Sequence, residues 1–253
     1  MLKSAVKKCL LSATLLATVL PAQAAIIDLN NWVQEGLSTS GNWNVATDGS
    51  SVLQTINGQP TYFVSPDSFI NSEFTGSFSV SNDGDDDYIG FVFGFNGLDD
   101  YYLFDWKRGD QVFGGEQAFA GFTLSHISSE TDVNFWDHSG SGISVLDSDY
   151  SPSLGWEYST EYQFTLGYTA TEINIAIDGG TFNNQQIFSL SGLNNAAGRF
   201  GFYNYSQSQV QYVGFEEDVC TVNCGNVSVP APAPLGLLAA ALIGVFVRSG
   251  RRY

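Results

Sequence analysis

Three observations predict an all-β sandwich. Between residues 26 and 224 apolar side chains alternate with period two, in short runs parted by Gly, Asn, Asp and Ser. No convincing helical repeat interrupts these runs. Aromatic residues make up 14% of the chain against a single methionine, a composition that packs sheets rather than sustaining disorder. About 200 residues of short strands make one unit, in which two antiparallel sheets share a single core.

The elements follow in order. Residues 1–24 carry Lys3, Lys7 and Lys8, an apolar core over 10–20, and Ala22-Gln23-Ala24 as a small-residue cleavage site. That is the layout of a secretory signal peptide, and its apolar run is too short for a permanent span. Cys9 lies inside it and is discarded with it. Strands are expected over 74–80, 87–95, 101–106, 119–127, 162–168, 173–177, 186–190, 199–203 and 209–215. Within 87–95, Ile89, Phe91, Phe93 and Phe95 are expected on one face, with Tyr88, Gly90, Val92 and Gly94 on the other. Turn chemistry falls at Asn96-Gly97, at Asp178-Gly179-Gly180 and at Ser139-Gly140-Ser141-Gly142. Gly90, Gly94, Gly201 and Gly214 sit beside bulky aromatics, where a missing side chain admits a neighbouring ring or relieves sheet curvature. Glu216-Glu217-Asp218 reads as a solvated end beyond the last strand.

Past the sandwich, Cys220 and Cys224 form a Cys-x3-Cys pair before a proline stretch. In an oxidising compartment this spacing favours a local disulfide, whereas zinc would need two further ligands. Pro230, Pro232 and Pro234 stiffen residues 229–234, and an apolar run over 235–247 precedes Arg248, Arg251 and Arg252. As a helix that run spans about 20 Å against a hydrocarbon core of about 30 Å. It touches a membrane at least transiently, with its basic end in the cytoplasm and the rest outside.

Charge narrows the partners. All 26 acidic residues lie between Asp28 and Asp218, where only Lys107, Arg108 and Arg199 are basic. Such a surface repels nucleic acid and anionic lipid but suits divalent cations. No nucleophile elbow, phosphate loop or zinc helix is present, nor is the Glu-x-Asp-x-x-Glu strand pattern of a sandwich glycosidase. Catalysis is therefore not expected. His126 and His138 are expected in solvated or hydrogen-bonded loop positions.

The most informative stretch is residues 81–108, where Asp83, Asp85, Asp86 and Asp87 abut an aromatic strand. Adjacent carboxylates repel, so the cluster is either neutralised by a hard cation or fully solvated as a turn. Asp83 is a candidate ligand from spacing alone. Trp106 and Trp136 are each either core or a platform on which a sugar ring stacks.

These blocks carry a resemblance. Asp85-Asp86-Asp87-Tyr88, then Gly90-Phe91-Val92-Phe93-Gly94-Phe95, then Tyr101-Tyr102-Leu103-Phe104-Asp105-Trp106-Lys107 resemble the C-terminal lectin-like domain of thrombospondins. Leu53-Gln54-Thr55-Ile56-Asn57, Phe74-Thr75-Gly76-Ser77-Phe78 and Gly198-Arg199-Phe200-Gly201-Phe202-Tyr203 extend it, in the same order, over residues 26–218. The resemblance implies a concanavalin-type, lectin-like jelly-roll sandwich over 25–218, with calcium ligands at Asp85, Asp86 and Asp87. Asp105 replaces an apolar residue of the family strand, and is either a ligand of a second cluster or simply exposed. The tail, a stalk over 219–234 followed by a short hydrophobic helix and basic end over 235–253, resembles the PEP-CTERM sorting signal of Gram-negative bacteria, processed by exosortase-type enzymes. Pro230-Ala231-Pro232 stands where Pro-Glu-Pro is usual, so an ordinary anchor stays open. Together these readings describe an exported, calcium-binding adhesion or matrix protein of the cell envelope, whose partner is a glycan or a matrix protein. A structural surface protein without a ligand is the alternative, and a polysaccharide-cleaving enzyme a distant third.

Overall fold

The period-two pattern becomes strand almost wherever it occurs. A computed structural model describes residues 25–219. The expected signal peptide, the Cys220–Cys224 disulfide, the proline stalk and the hydrophobic segment lie outside the described residues. In chain order the strands begin β1 Ala25–Ile26, β2 Val33–Gly36, β3 Trp43–Val45, β4 Ser51–Gln54, β5 Thr61–Phe69 and β6 Ser72–Val80. They continue β7 Tyr88–Gly97, β8 Asp100–Lys107, β9 Gln111–Phe113, β10 Glu116–Ala118, β11 Gly121–Ile127 and β12 Ile143–Tyr150. The last five are β13 Glu161–Tyr168, β14 Glu172–Gly179, β15 Phe182–Ser191, β16 Gly198–Tyr205 and β17 Val210–Val219.

Two sheets stack face to face. Sheet A has the order β15-β14-β13-β6-β17-β4-β3, with β1 beside β17; sheet B has the order β12-β11-β8-β7-β16-β5-β2. Pairing is antiparallel throughout the described strands. The chain passes from the middle of sheet A to the middle of sheet B once through the acidic loop 81–87, between β6 and β7. Strand β12 closes one edge of sheet B with Asp147 and Asp149 exposed, charges that discourage edge-to-edge pairing.

The inter-sheet layer is aromatic. Phe91 lies 4.7 Å from both Phe104 and Phe164, and Phe200 lies 4.4 Å from Phe215. Each fully buried ring of this kind contributes about 1.5–3 kcal/mol by leaving water. The expectation of a single core is corrected here. A second apolar cluster, including Tyr62, Val64, Val92, Leu103 and Tyr203, is buried apart from the first. The hairpin β9–β10 supplies Ala118 to it and residues 128–142 supply Val133, Phe135 and Trp136, so sheet B is covered on both faces.

Three local expectations also change. Phe95 joins Tyr88 and Val92 in the second cluster rather than Ile89, Phe91 and Phe93 in the first. The cause is Gly94, whose φ of +58° makes a bulge; the pairing of β7 with β8 slips between Phe93 and Gly97. The shift, two extra residues on β7 relative to β8, moves the tight turn from Asn96-Gly97 to Leu98-Asp99, with Gly97 opposite Asp100. Glu216, Glu217 and Asp218 are not a free end: Glu216 and Glu217 pair with both β6 and β1, and the Ser72 hydroxyl donates to Glu217 at 2.8 Å.

Candidate metal and ligand site

The 81–87 loop is fastened from several elements. Asp83 is exposed, and its carboxylate accepts from Gln207 Nε2 at 3.1 Å, from Ser208 Oγ at 2.5 Å and from the Asp85 amide at 3.1 Å. The Asp87 amide donates to Gln207 Oε1 at 3.0 Å. Each carbonyl that follows has a donor: Tyr158 OH on Asp85, the Arg108 amide on Asp86 at 3.1 Å, and Trp156 Nε1 on Asp87 at 3.0 Å. The loop backbone is therefore held by several elements, and the side-chain oxygens of Asp85, Asp86 and Asp87 are the groups that face one another at its end.

Asp85, Asp86 and Asp87 offer carboxylate oxygens within 4.8 Å of one another. Two kinds of group already answer their charge. Lys107 Nζ, fully buried at the end of β8, donates to Asp87 Oδ1 at 2.5 Å and lies 3.6 Å from Asp86 Oδ1. It also donates to the Asp86 carbonyl at 3.3 Å and to Gln111 Oε1 at 3.1 Å, and it rests 4.6 Å from the centre of the Trp136 ring. The second group is Asn57, whose amide donates to Asp85 Oδ2. Register explains the lysine: Tyr88 sits opposite Lys107, so the residue before Tyr88 meets the ammonium.

Asp85 is the strained member. Burial, and then the charge of Asp87, push its carboxyl up from the usual 3.8 to about 6. A carboxylate held in this way is relieved by a hard divalent cation, and oxygen donors of this kind suit calcium or magnesium. The donor set fits such an ion, with Asp85 shared with Asn57, Asp87 shared with Lys107 and Asp86 the least engaged of the three.

Beside the cluster opens a cleft of about 390 Å³, walled by Asn57, Asp85, Asp87, Gln111, Phe113 and Trp136. Sequence reasoning missed the loop's partners. Gln207 and Tyr158 carry no motif, and the Gly155-Trp156 block, part of the family resemblance, marks Trp156 without showing that its ring nitrogen meets the loop. Phe113 was legible: Gly114-Gly115 between two short runs is a hairpin signal, and both glycines adopt positive φ, +63° and +94°.

The remaining candidates lie elsewhere. Asp105 is not brought to the cluster; it is 1% exposed beneath the 128–142 cover, and its Oδ2 is 2.8 Å from His138 Nε2. It is therefore not the exposed residue allowed for in the sequence. Trp106 cannot be a sugar platform, because it is fully buried in the inter-sheet core, 4.6 Å from both Phe122 and Tyr162, with its ring N–H on Leu154. Trp136 borders the cleft but is 4% exposed, braced between Lys107 and Phe113. His126 is half-buried, 3.3 Å from Asp100.

Comparison with known proteins turns this arrangement into a family assignment. The model of the thrombospondin C-terminal region matches residues 38–221. The chain belongs to the thrombospondin C-terminal region family. Cattle and human thrombospondin-2 are each 28% identical to it over 189 residues, covering 68% of this chain and 16% of the relative. Cattle thrombospondin-4 is 26% identical over 187 residues, 67% of this chain and 19% of the relative. The chain thus spans less than a fifth of the length of these relatives. Among solved structures, the carbohydrate-binding module CBM66 from Bacillus subtilis superposes with a TM-score of 0.52 at 9% identity, covering 74% of this chain and 95% of the module. The Ca2+-bound exoplasmic/lumenal domain of VIP36 superposes with a TM-score of 0.51 at 12% identity, over 80% of this chain and 90% of that domain. These likenesses establish a lectin-like two-sheet sandwich for the thrombospondin-type domain.

Proposed function

We propose that this protein is an exported, calcium-binding, lectin-like adhesion or matrix module of the cell envelope, working through the cleft beside the 81–87 loop. The observation that carries the reading is the convergence of Asp85, Asp86 and Asp87 within 4.8 Å at the wall of that cleft. Calcium, when bound, supplies charge neutralisation and a fixed loop shape. The chain's own residues do the rest. Gln207, Trp156 and Tyr158 hold the loop backbone, Lys107 orients Asp87, and Asn57 orients Asp85. A VIP36 domain of the same fold is described in a Ca2+-bound form, and CBM66 is by description a carbohydrate-binding module. Both descriptions favour a calcium-assisted binding role, with a glycan or a matrix protein as the ligand, over decoration of the surface without one. Binding is also preferred to catalysis. Glu161 and Asp178 line a second cleft of about 350 Å³ on sheet A, but Asp178 Oδ1 is committed to the Asn184 amide.

The signal-peptide layout of residues 1–24 and the PEP-CTERM-like tail support export to the envelope or extracellular matrix of a Gram-negative bacterium.

A calcium titration of the full chain, followed by thermal unfolding, tests the metal. Saturation at one hundred times Kd adds about 2.7 kcal/mol, a rise of several degrees for a domain of this size. The rise should vanish in the D85N/D86N double variant. A midpoint equal in calcium and in chelator reduces the cluster to a solvated turn braced by Lys107.

A further inference from the structure

The cleft beside the acidic loop has one wall with no part in holding a metal, and that wall indicates what the cleft receives. Phe113, on the hairpin strand β9, is 69% exposed, the most exposed of the large aromatic side chains described. It is not a loose side chain. Its ring packs 5.6 Å from Trp136, and the hairpin beneath it is pinned by Trp136 Nε1 on the Glu116 carbonyl at 3.2 Å and by Gln117 Nε2 on the Gln111 carbonyl at 3.3 Å. The sequence has built a tight Gly114-Gly115 turn that presents an aromatic face at the mouth of a polar cleft.

The rest of the lining offers polar groups of two types. Asn57, Gln59 and Gln111 supply side-chain amides, and Asp85 and Asp87 supply carboxylates. Among the described residues no cationic side chain lines the cleft, because the Lys107 ammonium is fully buried behind Asp87 and Trp136. A ligand that fits must offer a flat apolar face to Phe113, several hydroxyls to amides and carboxylates, and no negative charge. The volume of about 390 Å³ lies at the small end of ligand pockets. The geometry points to a neutral hexopyranose unit, part of a glucose-, mannose- or galactose-type glycan, stacked on Phe113 with its hydroxyls turned to Asp85, Asn57 and Gln111. Uronic-acid and sulfated polymers are rejected by Asp85 and Asp87 unless a cation intervenes. The sheet A cleft lacks this combination: its wall of Ser77, Glu161, Gln163 and Asp178 holds no aromatic ring. The inference rests on reading the domain as lectin-like, but it does not require the metal.

Affinity electrophoresis of the full chain tests it, in gels cast with dextran, mannan or galactan and with polygalacturonate as the acidic control. Retardation is expected in at least one neutral gel and not in polygalacturonate. F113A should weaken retention about tenfold or more, as for loss of an anchoring ring, while its unfolding midpoint and calcium response stay as in the parent. F113Y, which keeps the ring, should be retained. Free migration in all three neutral gels, equal retention of F113A, or retardation by polygalacturonate alone in chelator would each overturn the inference. The two readings fail separately. Sugar retention without a calcium-dependent midpoint removes the metal, and a calcium-dependent midpoint without retention removes the sugar.

Discussion

The two sheets of this sandwich share one core but treat their outer faces differently. Along β6 of sheet A, buried and half-buried residues alternate, with Thr75, Ser77 and Ser79 outward; this face keeps small polar side chains. Sheet B turns Tyr62, Leu103 and Tyr203 outward, and the β9–β10 hairpin and residues 128–142 roof them over. Among the described residues, the buried ionisable pairs lie under this cover: Lys107 with Asp87, and Asp105 with His138. An acidic domain with three basic residues has placed one of them, fully buried, behind its densest carboxylates. The lesson is that the roof over sheet B is the working part, since it creates the low-dielectric setting in which these pairs matter and it carries Phe113 and Trp136 to the cleft.

Breaking the buried pair should have the largest effect. K107M removes the ammonium from the buried Asp87 carboxyl, a loss of about 3–5 kcal/mol, read by denaturant unfolding. The double variant K107M/D87L, which removes both charges, should recover most of that loss. If the single and double variants were equally destabilised, the ammonium would matter through its packing on Trp136 instead.

Next is the roofed cluster itself. L103A should cost about 2–5 kcal/mol, the range for a fully buried leucine. S77A on the open face of sheet A should stay within about 0.5 kcal/mol. Similar small losses at both positions would mean that the roof adds no core. A smaller effect is expected at the Asp105–His138 contact. Because His138 adopts a φ of +56°, H138N preserves the left-handed backbone and removes only the contact. Leaving Asp105, whose Oδ1 already has no partner, wholly unsatisfied should cost about 1–3 kcal/mol.

This comparison also explains what could be read from the sequence. Strands such as β7, β8, β13 and β14 were legible because they alternate cleanly or run into turn residues. Edge strands were less so: β2, β3 and β12 are short or exposed, and lack a buried stripe to mark them. Phe95 was misplaced because a glycine bulge moves a side chain to the opposite face without altering the composition of the run. The second core was hidden because period two reports that both faces exist, not that a distant loop covers one of them. At the site, the aspartates announced themselves by clustering. Lys107 did not, because only strand register brings it to Asp87, and the partners Gln207, Trp156 and Tyr158 are joined to the loop only in three dimensions.

The finest comparison is between Asp85 and its neighbours as pH changes. Its carboxyl is raised from 3.8 to about 6 by burial and by Asp87. A carboxyl whose folded value lies above its unfolded one binds its proton more tightly in the folded state. Its contribution to stability is therefore fully present below about 3.8, and is lost as pH rises through about 6. Glu73, raised by burial and by Asp218, slopes the same way, whereas Asp48 and Asp132, lowered by their serine partners, slope oppositely. A whole-protein profile mixes these effects, so the informative quantity is the difference between the parent and D85N. In chelator that difference should fall by the equivalent of a few degrees between pH 4 and pH 6.5, with the parent losing ground as Asp85 ionises. In saturating calcium the ion stabilises the ionised form, so the parent should gain rather than lose over the same interval. If the slope were the same in calcium and in chelator, the ion would not be meeting Asp85, and the sharing of the cluster between Lys107 and a metal would have to be redrawn around Asp86 alone.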